Sequence, residues 1–306
     1  MRILAVLNRD GGTLKTTDLE QFGSQLRSAF EKAGHEFDLE IAPGSRIMRA
    51  LENAGEDPEV DVILAGGGDG TISGAAAIAW KSGKALGVIP AGTMNLFARS
   101  IGVPLDIMEA GTALAEGTIS ACDIATANGR AFVHQYSIGM QPRMVKERNE
   151  RTYNSRFGKM LASLIATLSM FTRPPSFEAI VTFNDQPKSG RTRVSQKYSL
   201  ISISNNLYGE DHMPYADRLD GGVLGVYRAG VLPTAASVKL VSELMAGSWR
   251  SNPDFTEDPA KEVTLKFPHL KRSAKAIIDG ELIKLTPEVV VKTHPGALKI
   301  LIPKKQ

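Results

Sequence analysis

Ala65-Gly66-Gly67-Gly68-Asp69-Gly70-Thr71 follows an apolar run, Val60 to Leu64, and precedes a helix-like run, Ile72 to Trp80. Consecutive glycines at a strand-to-helix turn remove the Cβ atoms that would hold a ligand off the backbone. Their amides, with the positive end of the following helix, suit a phosphate. Asp69 breaks that pattern, because a carboxylate among phosphate-facing amides repels the ligand. It becomes sensible where it manages a magnesium ion or takes a proton. Alone, the stretch is also compatible with a tight turn carrying a solvated aspartate.

A second segment, Leu86-Gly87-Val88-Ile89-Pro90-Ala91-Gly92-Thr93-Met94-Asn95, repeats the strand–glycine–polar–helix order. Parallel strands put both loops at one carboxyl edge, where open α/β sheets bind ligands. Thr93 and Asn95 then offer a hydroxyl and an amide to the same phosphates; as isolated residues they read equally well as helix caps.

Outward from these loops, residues 1 to about 122 alternate strand and helix signals. Strands are expected at Ile3–Leu7, Glu36–Ile41, Val60–Leu64 and Ala85–Ile89, and helices at Asp18–Ala33, Ser45–Ala54 and Asp106–Ala115. That alternation predicts a three-layer α/β domain over 1–122. Beyond Cys122-Asp123 the texture changes to short β-branched and aromatic runs, with helices chiefly at Ser155–Phe171 and Thr234–Ala246. Residues 123–306 read as a second, mainly antiparallel β domain, a sandwich.

The motifs Gly67-Gly68-Asp69-Gly70-Thr71, Pro90-Ala91-Gly92-Thr93-Met94-Asn95 and Asp279-Gly280-Glu281 occur in that order through nearly the whole length. In this the chain resembles the diacylglycerol kinase catalytic domain family, with its sphingosine and ceramide kinase relatives, and in particular the bacterial two-domain lipid kinases. NAD kinases share the glycine-rich aspartate loop, but the second loop and Asp-Gly-Glu fit the lipid kinases better. The resemblance implies an ATP- and magnesium-dependent transfer of phosphate to a lipid hydroxyl. It implies nucleotide contacts from Asn8, Gly11 and Gly12 in a divergent first loop, from Gly66, Gly67, Gly68, Asp69, Gly70 and Thr71, and from Gly92, Thr93 and Asn95. It implies Glu281 as proton acceptor, with Asp69 as a rival for that role and as a magnesium and phosphate contact. It also suggests that the last strand returns to the first domain.

Spacing alone reads Asp279-Gly280 as an ordinary hairpin turn, with Asp279 shaping the turn. A carboxylate at Glu281 in a closed cleft is expected to be desolvated, which favours a base. Asp217-Arg218-Leu219-Asp220-Gly221 resembles the segment where bacterial relatives hold a structural magnesium, but only Asp220 stands before the glycine. A glycine turn is the plainer reading there. Neither a Walker A sequence nor a dinucleotide fingerprint occurs at a strand-to-helix turn.

Lys and Arg number 36 against 33 Asp and Glu, a net charge of +3. That excess is too small to point to nucleic acid. Cys122 is the only cysteine, and the five histidines are scattered, so neither a disulfide nor a transition-metal site is expected. No run reaches the roughly 20 apolar residues of a spanning helix. The expectation is a cytoplasmic protein, peripheral on the inner membrane surface when it meets its lipid. The basic stretch Arg143, Lys146, Arg148, Arg151, Arg156 and Lys159 is either a solvated face or a headgroup attractor. A homodimer is left open. Two rival functions stand beside the lipid kinase: a kinase for a soluble acceptor such as NAD, and a silent nucleotide- or lipid-binding regulator.

Overall fold

The computed structural model describes residues 1–140, 142, 176–185, 192–209 and 216–304. The helix expected at Ser155–Phe171 and the basic stretch 143–159 lie outside the described residues. In the first domain β1 (Arg2–Asn8) leads through α1 (Leu19–Lys32) to β2 (Glu36–Ala42), and α2 (Ile47–Glu56) leads to β3 (Val62–Gly67). Then come α3 (Asp69–Ser82), β4 (Ala85–Pro90), the short α4 (Leu96–Ser100) and α5 (Ile107–Ala115). The order β4-β3-β1-β2 is parallel throughout. β3 and β4 are buried along their whole length, as continuous apolar runs in a sheet covered on both faces should be.

Local chemistry sets the helix ends. The Asp18 carboxylate accepts from the Glu20 and Gln21 amides at 3.1 and 3.0 Å, satisfying donors that the first turn leaves unpaired. Phe22, Leu26 and Phe30 are the buried stripe of α1. α1 packs with α5, and α2 with α3. Strand order reverses at β1, with β2 on one side and β3 on the other. The loops leaving β1 and β3 therefore flank the switch point where such sheets bind ligands.

The second domain is strand-rich and mostly antiparallel: β5 (Thr118–Ala127), β6 (Arg130–Phe132), β7 (Gln135–Gly139), β8 (Phe177–Phe183), β9 (Arg193–Ser204) and β10 (Leu224–Gly230). α6 (Thr234–Met245), β11 (Phe255–Ala260), β12 (Glu262–Lys266), β13 (Lys275–Ile278), β14 (Glu281–Lys284) and β15 (Glu288–Ile302) follow. One core gathers Tyr136, Val181, Tyr198, Ile203 and Val263. A smaller one gathers Tyr227, Trp249 and Phe255.

The runs Val289–Lys292 and Leu298–Ile302, separate in sequence, form the single strand β15. Its first part pairs antiparallel with β12, and Lys299 and Ile300 pair in parallel with Ala85 and Leu86 of β4. It also lies along β5, with a register irregularity between His294 and Leu298. One strand thus joins the antiparallel strands of the second domain to the parallel strands of the first in a continuous 15-stranded sheet. β11 is the element the sequence did not announce: Phe255-Thr256-Glu257-Asp258-Pro259-Ala260 holds two carboxylates and a proline. Its Asp258 is buried and paired with Arg228.

Candidate active site

The β1, β3 and β4 loops meet at the carboxyl edge. Asn8 Nδ2 donates to Thr71 Oγ1 at 3.3 Å, tying the first loop to the start of α3. The Thr13 amide donates to Ala91 O at 2.9 Å, tying it to the β4 loop. Asn95 sits in the left-handed region, φ 49°, which asparagine tolerates better than most residues. Its side chain closes back on Gly92, accepting from Gly92 N at 2.8 Å and donating to Gly92 O at 3.0 Å.

Asp69 joins the two glycine loops. Its Oδ1 accepts from the Leu96 amide at 2.9 Å and its Oδ2 from the Asn95 amide at 3.3 Å. The carboxylate therefore clamps the β4 loop onto the β3 loop. Its remaining lone pairs are the ones open to a ligand.

The glycines divide into two kinds. A Cβ on Gly66 would stand 2.4 Å from Leu7 Cδ2, and one on Gly67 2.7 Å from Thr71 Cβ. On Gly92 it would meet Gly68 Cα at 2.8 Å, and on Gly12 the Ala91 carbonyl oxygen at 1.7 Å. These four are required by the packing of loop on loop and loop on core. Gly68 and Gly70 differ: a Cβ there would find only ordinary contacts, 3.6 Å to Gly92 Cα and 3.6 Å to Glu281 Oε1 respectively. Nothing in the fold demands a glycine at these two positions, so they are where ligand approach is the physical reason left. Thr93 is exposed beside them.

Glu281 comes to Gly70 from the second domain. The turn that carries it has Asp279 at φ 44° and Gly280 at φ 86°, two left-handed residues in succession as a type I′ hairpin needs. The expected desolvation of Glu281 is not found: its side chain is 56% exposed and pairs with Arg130 at 2.5 Å. The short strand β6 projects Arg130 to the cleft, and nothing in the sequence marked it.

The buried carboxylate is Asp279, 6% exposed. Its Oδ1 accepts from the His134 and Gln135 amides, both at 2.9 Å, and its Oδ2 from the Val133 amide at 2.9 Å and Ser73 Oγ at 2.5 Å. Burial pushes its pKa up from the ordinary carboxylate value, while the four donors pull it back. Asp279 does more than shape a turn, because it fastens the hairpin to α3 of the first domain through Ser73. His134 lies beside it, with Nε2 buried and unpartnered. Burial lowers the imidazole pKa to about 4, against the opposing pull of Asp69, so the ring is neutral at pH 7.

Asp220 is paired with Arg218 at 3.1 Å and exposed. The neighbouring glycine turn is held by a different residue. Asp123 is buried and accepts from Gly222 N at 2.6 Å, Gly296 N at 2.9 Å and Asn206 Nδ2 at 2.8 Å. Among the described residues no group of three His, Cys, Asp or Glu side chains could hold a metal ion. A magnesium site beside a nucleotide does not need three. It takes one or two carboxylates and completes its shell with phosphate and water, and Asp69 with its free lone pairs fits such a role. Among the described residues no helix is long and apolar enough to cross a membrane.

Residues 2–127 match the family model described as diacylglycerol kinase catalytic domain. The chain is 28% identical over 273 residues to an uncharacterized protein of Synechocystis, covering 84% of this chain and 59% of that one. It is 29% identical over 196 residues to a diacylglycerol kinase of Staphylococcus saprophyticus, covering 63% and 62%. It therefore spans about three-fifths of the length of these two relatives. With a diacylglycerol kinase of Bacillus subtilis the identity is 25% over 295 residues, covering 92% of this chain and 91% of that one. A crystal structure of a diacylglycerol kinase from Bacillus anthracis str. Sterne shares the fold, with a TM-score of 0.73 at 19% identity over 99% of this chain and 97% of that one. The matched segment holds the first loop and the two glycine loops that Asp69 clamps together, so the first-domain half of the site lies within the similarity to the diacylglycerol kinase catalytic domain.

Proposed function

We infer that the protein is a lipid kinase that transfers the γ-phosphoryl group of ATP to a hydroxyl of diacylglycerol or a similar lipid. The observation that carries this reading is the convergence of three distant motifs. The β3 loop, the β4 loop and Glu281 lie together, with Glu281 Oε1 3.6 Å from the position of a Cβ on Gly70. The names of the Bacillus and Staphylococcus relatives support a lipid acceptor.

In this mechanism the Gly68 and Gly70 backbone and the first turn of α3 receive the triphosphate, because open amides at a helix N-terminus favour anions. Asn8, Thr71, Thr93 and Asn95 supply polar contacts around it, while Gly11, Gly12, Gly66, Gly67 and Gly92 let the loops approach one another. Magnesium, when bound, neutralises and orients the phosphates, with Asp69 as its protein contact; Asp220 is kept only as a secondary structural candidate. The acceptor hydroxyl oxygen forms a bond to the γ-phosphorus as the bond to the ADP oxygen breaks. The hydroxyl proton passes to the Glu281 carboxylate, which must exchange its Arg130 contact for the substrate. Asp279 and Ser73 hold the hairpin so that Glu281 stays at the loop.

The test is labelled ATP with a panel of diacylglycerol, other lipid alcohols, sphingoid bases and NAD, with products resolved by chromatography. Label in a phospholipid product is the expected result. Label in NADP would establish the soluble-acceptor kinase. A folded protein that binds ATP yet labels none of the panel would support the silent regulator.

A further inference from the structure

Arg130 follows directly on a built turn. Asn128 and Gly129 both take left-handed backbone, φ 48° and 80°, and join β5 to β6 with Ala127 opposite Arg130, as a type I′ hairpin does. The Asn128 side chain fixes this turn to the chain that leaves β14. Its Nδ2 donates to Thr286 Oγ1 at 3.2 Å and to Glu288 O at 3.0 Å, and its Oδ1 accepts from Val290 N at 2.8 Å. The Asn128 amide adds a bond to Val290 O at 2.9 Å. Past Arg130, Ala131 is buried in the core of the first domain and Phe132 in that of the second. The Val133, His134 and Gln135 amides are then held by Asp279. Arg130 is thus the one exposed residue of β6, a strand fixed at both ends.

What this strand presents is a guanidinium at the glycine loop. Arg130 Nη2 is 2.5 Å from Glu281 Oε2, and Glu281 Oε1 is 3.6 Å from the position of a Cβ on Gly70. A single carboxylate therefore separates the cation from the start of α3. As an ion pair alone the contact explains little, because its side chains are 52% and 56% exposed and such pairs add little stability. Charge supplies a better reason. Asp69 and Glu281 set two carboxylates around a loop that is to receive a polyanion, and a fixed cation offsets them. A guanidinium has five N–H donors. Glu281 takes part of that fork, and the rest matches phosphoryl oxygens.

On the reading that places the triphosphate at Gly68 and Gly70, we propose that Arg130 is a catalytic residue whose guanidinium donates to the γ-phosphoryl oxygens of ATP. In the resting chain Glu281 holds it beside the loop. When Glu281 turns to the acceptor hydroxyl, Arg130 stays on the transferring group. It is then a donor already in place where charge gathers in the transition state.

The experiment is calorimetry of the full chain with magnesium ATP and with magnesium ADP, without acceptor, on wild type, Arg130→Gln and Arg130→Lys. Arg130→Gln should bind ATP about tenfold or more weakly and ADP within about twofold of wild type, because only ATP carries the γ-phosphate. Arg130→Lys keeps the charge without the fork and should fall between. Both replace an exposed side chain and should leave urea unfolding unchanged. With labelled ATP and the acceptor panel, Arg130→Gln should lose about 10²-fold or more in turnover. Unchanged ATP affinity in Arg130→Gln overturns the proposal, even beside lower turnover, since Arg130 would then act only through Glu281. An equal loss for ATP and ADP also overturns it, because the attraction would then be general. Wild type that binds neither nucleotide removes the reading of the loop and this proposal with it. Wild type that binds ATP but labels no acceptor removes the lipid kinase alone, and the comparison of ATP with ADP still decides Arg130.

Discussion

Asp279 offers the sharpest test of how the two domains are coupled. Asp279→Ala removes an acceptor for three backbone amides, Val133, His134 and Gln135, and for the Ser73 hydroxyl. A buried donor left unpaired costs about 1–3 kcal/mol, but the four are not additive, and removing a buried carboxylate also relieves its desolvation. The net loss should be about 3 kcal/mol, the upper end for one unpaired buried donor, since four lose their acceptor at once. Against a total of about 5–15 kcal/mol for a folded domain, that is large. Asp279→Asn keeps one accepting oxygen and should lose about 1–3 kcal/mol, since its amide nitrogen must face donors on one side. Ser73→Ala, removing one donor and leaving three, should be milder than either.

Urea unfolding of the three variants would read this order. Burial raises the Asp279 pKa, so the folded state keeps the proton to higher pH than the unfolded chain. The stability linked to that proton is fully present below the ordinary value of 3.8 and is lost as pH rises through the folded pKa. Asp279→Asn should lack this slope. If Asp279→Asn and Asp279→Ala both unfold within about 0.5 kcal/mol of the parent, the change expected of a surface substitution, Asp279 only shapes its turn and the coupling argument fails.

Glu281→Gln should leave nucleotide affinity and unfolding nearly unchanged while turnover falls about 10²–10⁴-fold, the usual contribution of a general base; near-normal turnover would transfer the role to Asp69. Gly68→Ala should keep the fold, because its Cβ has room, yet weaken ATP binding measured by calorimetry. Gly12→Ala should destabilise the protein itself, since its Cβ would collide with the Ala91 carbonyl, and equal melting temperatures for the two alanine variants would refute the division of the glycines. His134, lowered from 6.5 to about 4, contributes stability that is present above pH 6.5 and lost as pH falls through about 4; the difference is about 3 kcal/mol at 1.36 per unit. His134→Gln should flatten that acid limb, and an NMR titration of the His134 ring near 6.5 would contradict it.

The α/β half was legible because its signals are local. Asp18 before an apolar stripe, Gly34 after it, and buried runs such as Val62–Ala65 each declare themselves within a few residues. β15 was legible only as two pieces, since the irregularity at 295–297 interrupts the pattern while the hydrogen-bonded strand continues. β11 was missed because its carboxylates are matched by partners distant in sequence: Arg228 for Asp258, and Arg250 for Glu257 at 2.8 Å. At the site, the motifs announced Asp69, Asn95 and Glu281. The partners that fix their geometry, Arg130, Ser73 and His134, carry no motif, and become visible only when the domains are brought together.

Asp69 is where the two levels of reading have to be reconciled. As a motif residue it invites a purely chemical role, and Asp69→Asn then looks like loss of charge at constant shape. The geometry makes that substitution less clean. Both carboxylate oxygens accept backbone amides of the β4 loop, and an asparagine can satisfy only one of them while its NH2 faces the other. Charge and loop position are lost together, so an inactive Asp69→Asn would not by itself identify a base or a magnesium contact. Asp69→Glu separates the two. It keeps the charge but moves it by one methylene, so the clamp should loosen while the acidic group remains. If turnover depends on the clamp, Asp69→Glu should fall nearly as far as Asp69→Asn, with increased proteolysis at residues 92–95 in both. Substantial activity in Asp69→Glu beside an inactive Asp69→Asn would show that the charge, and not the coupling of the two loops, is what the reaction needs.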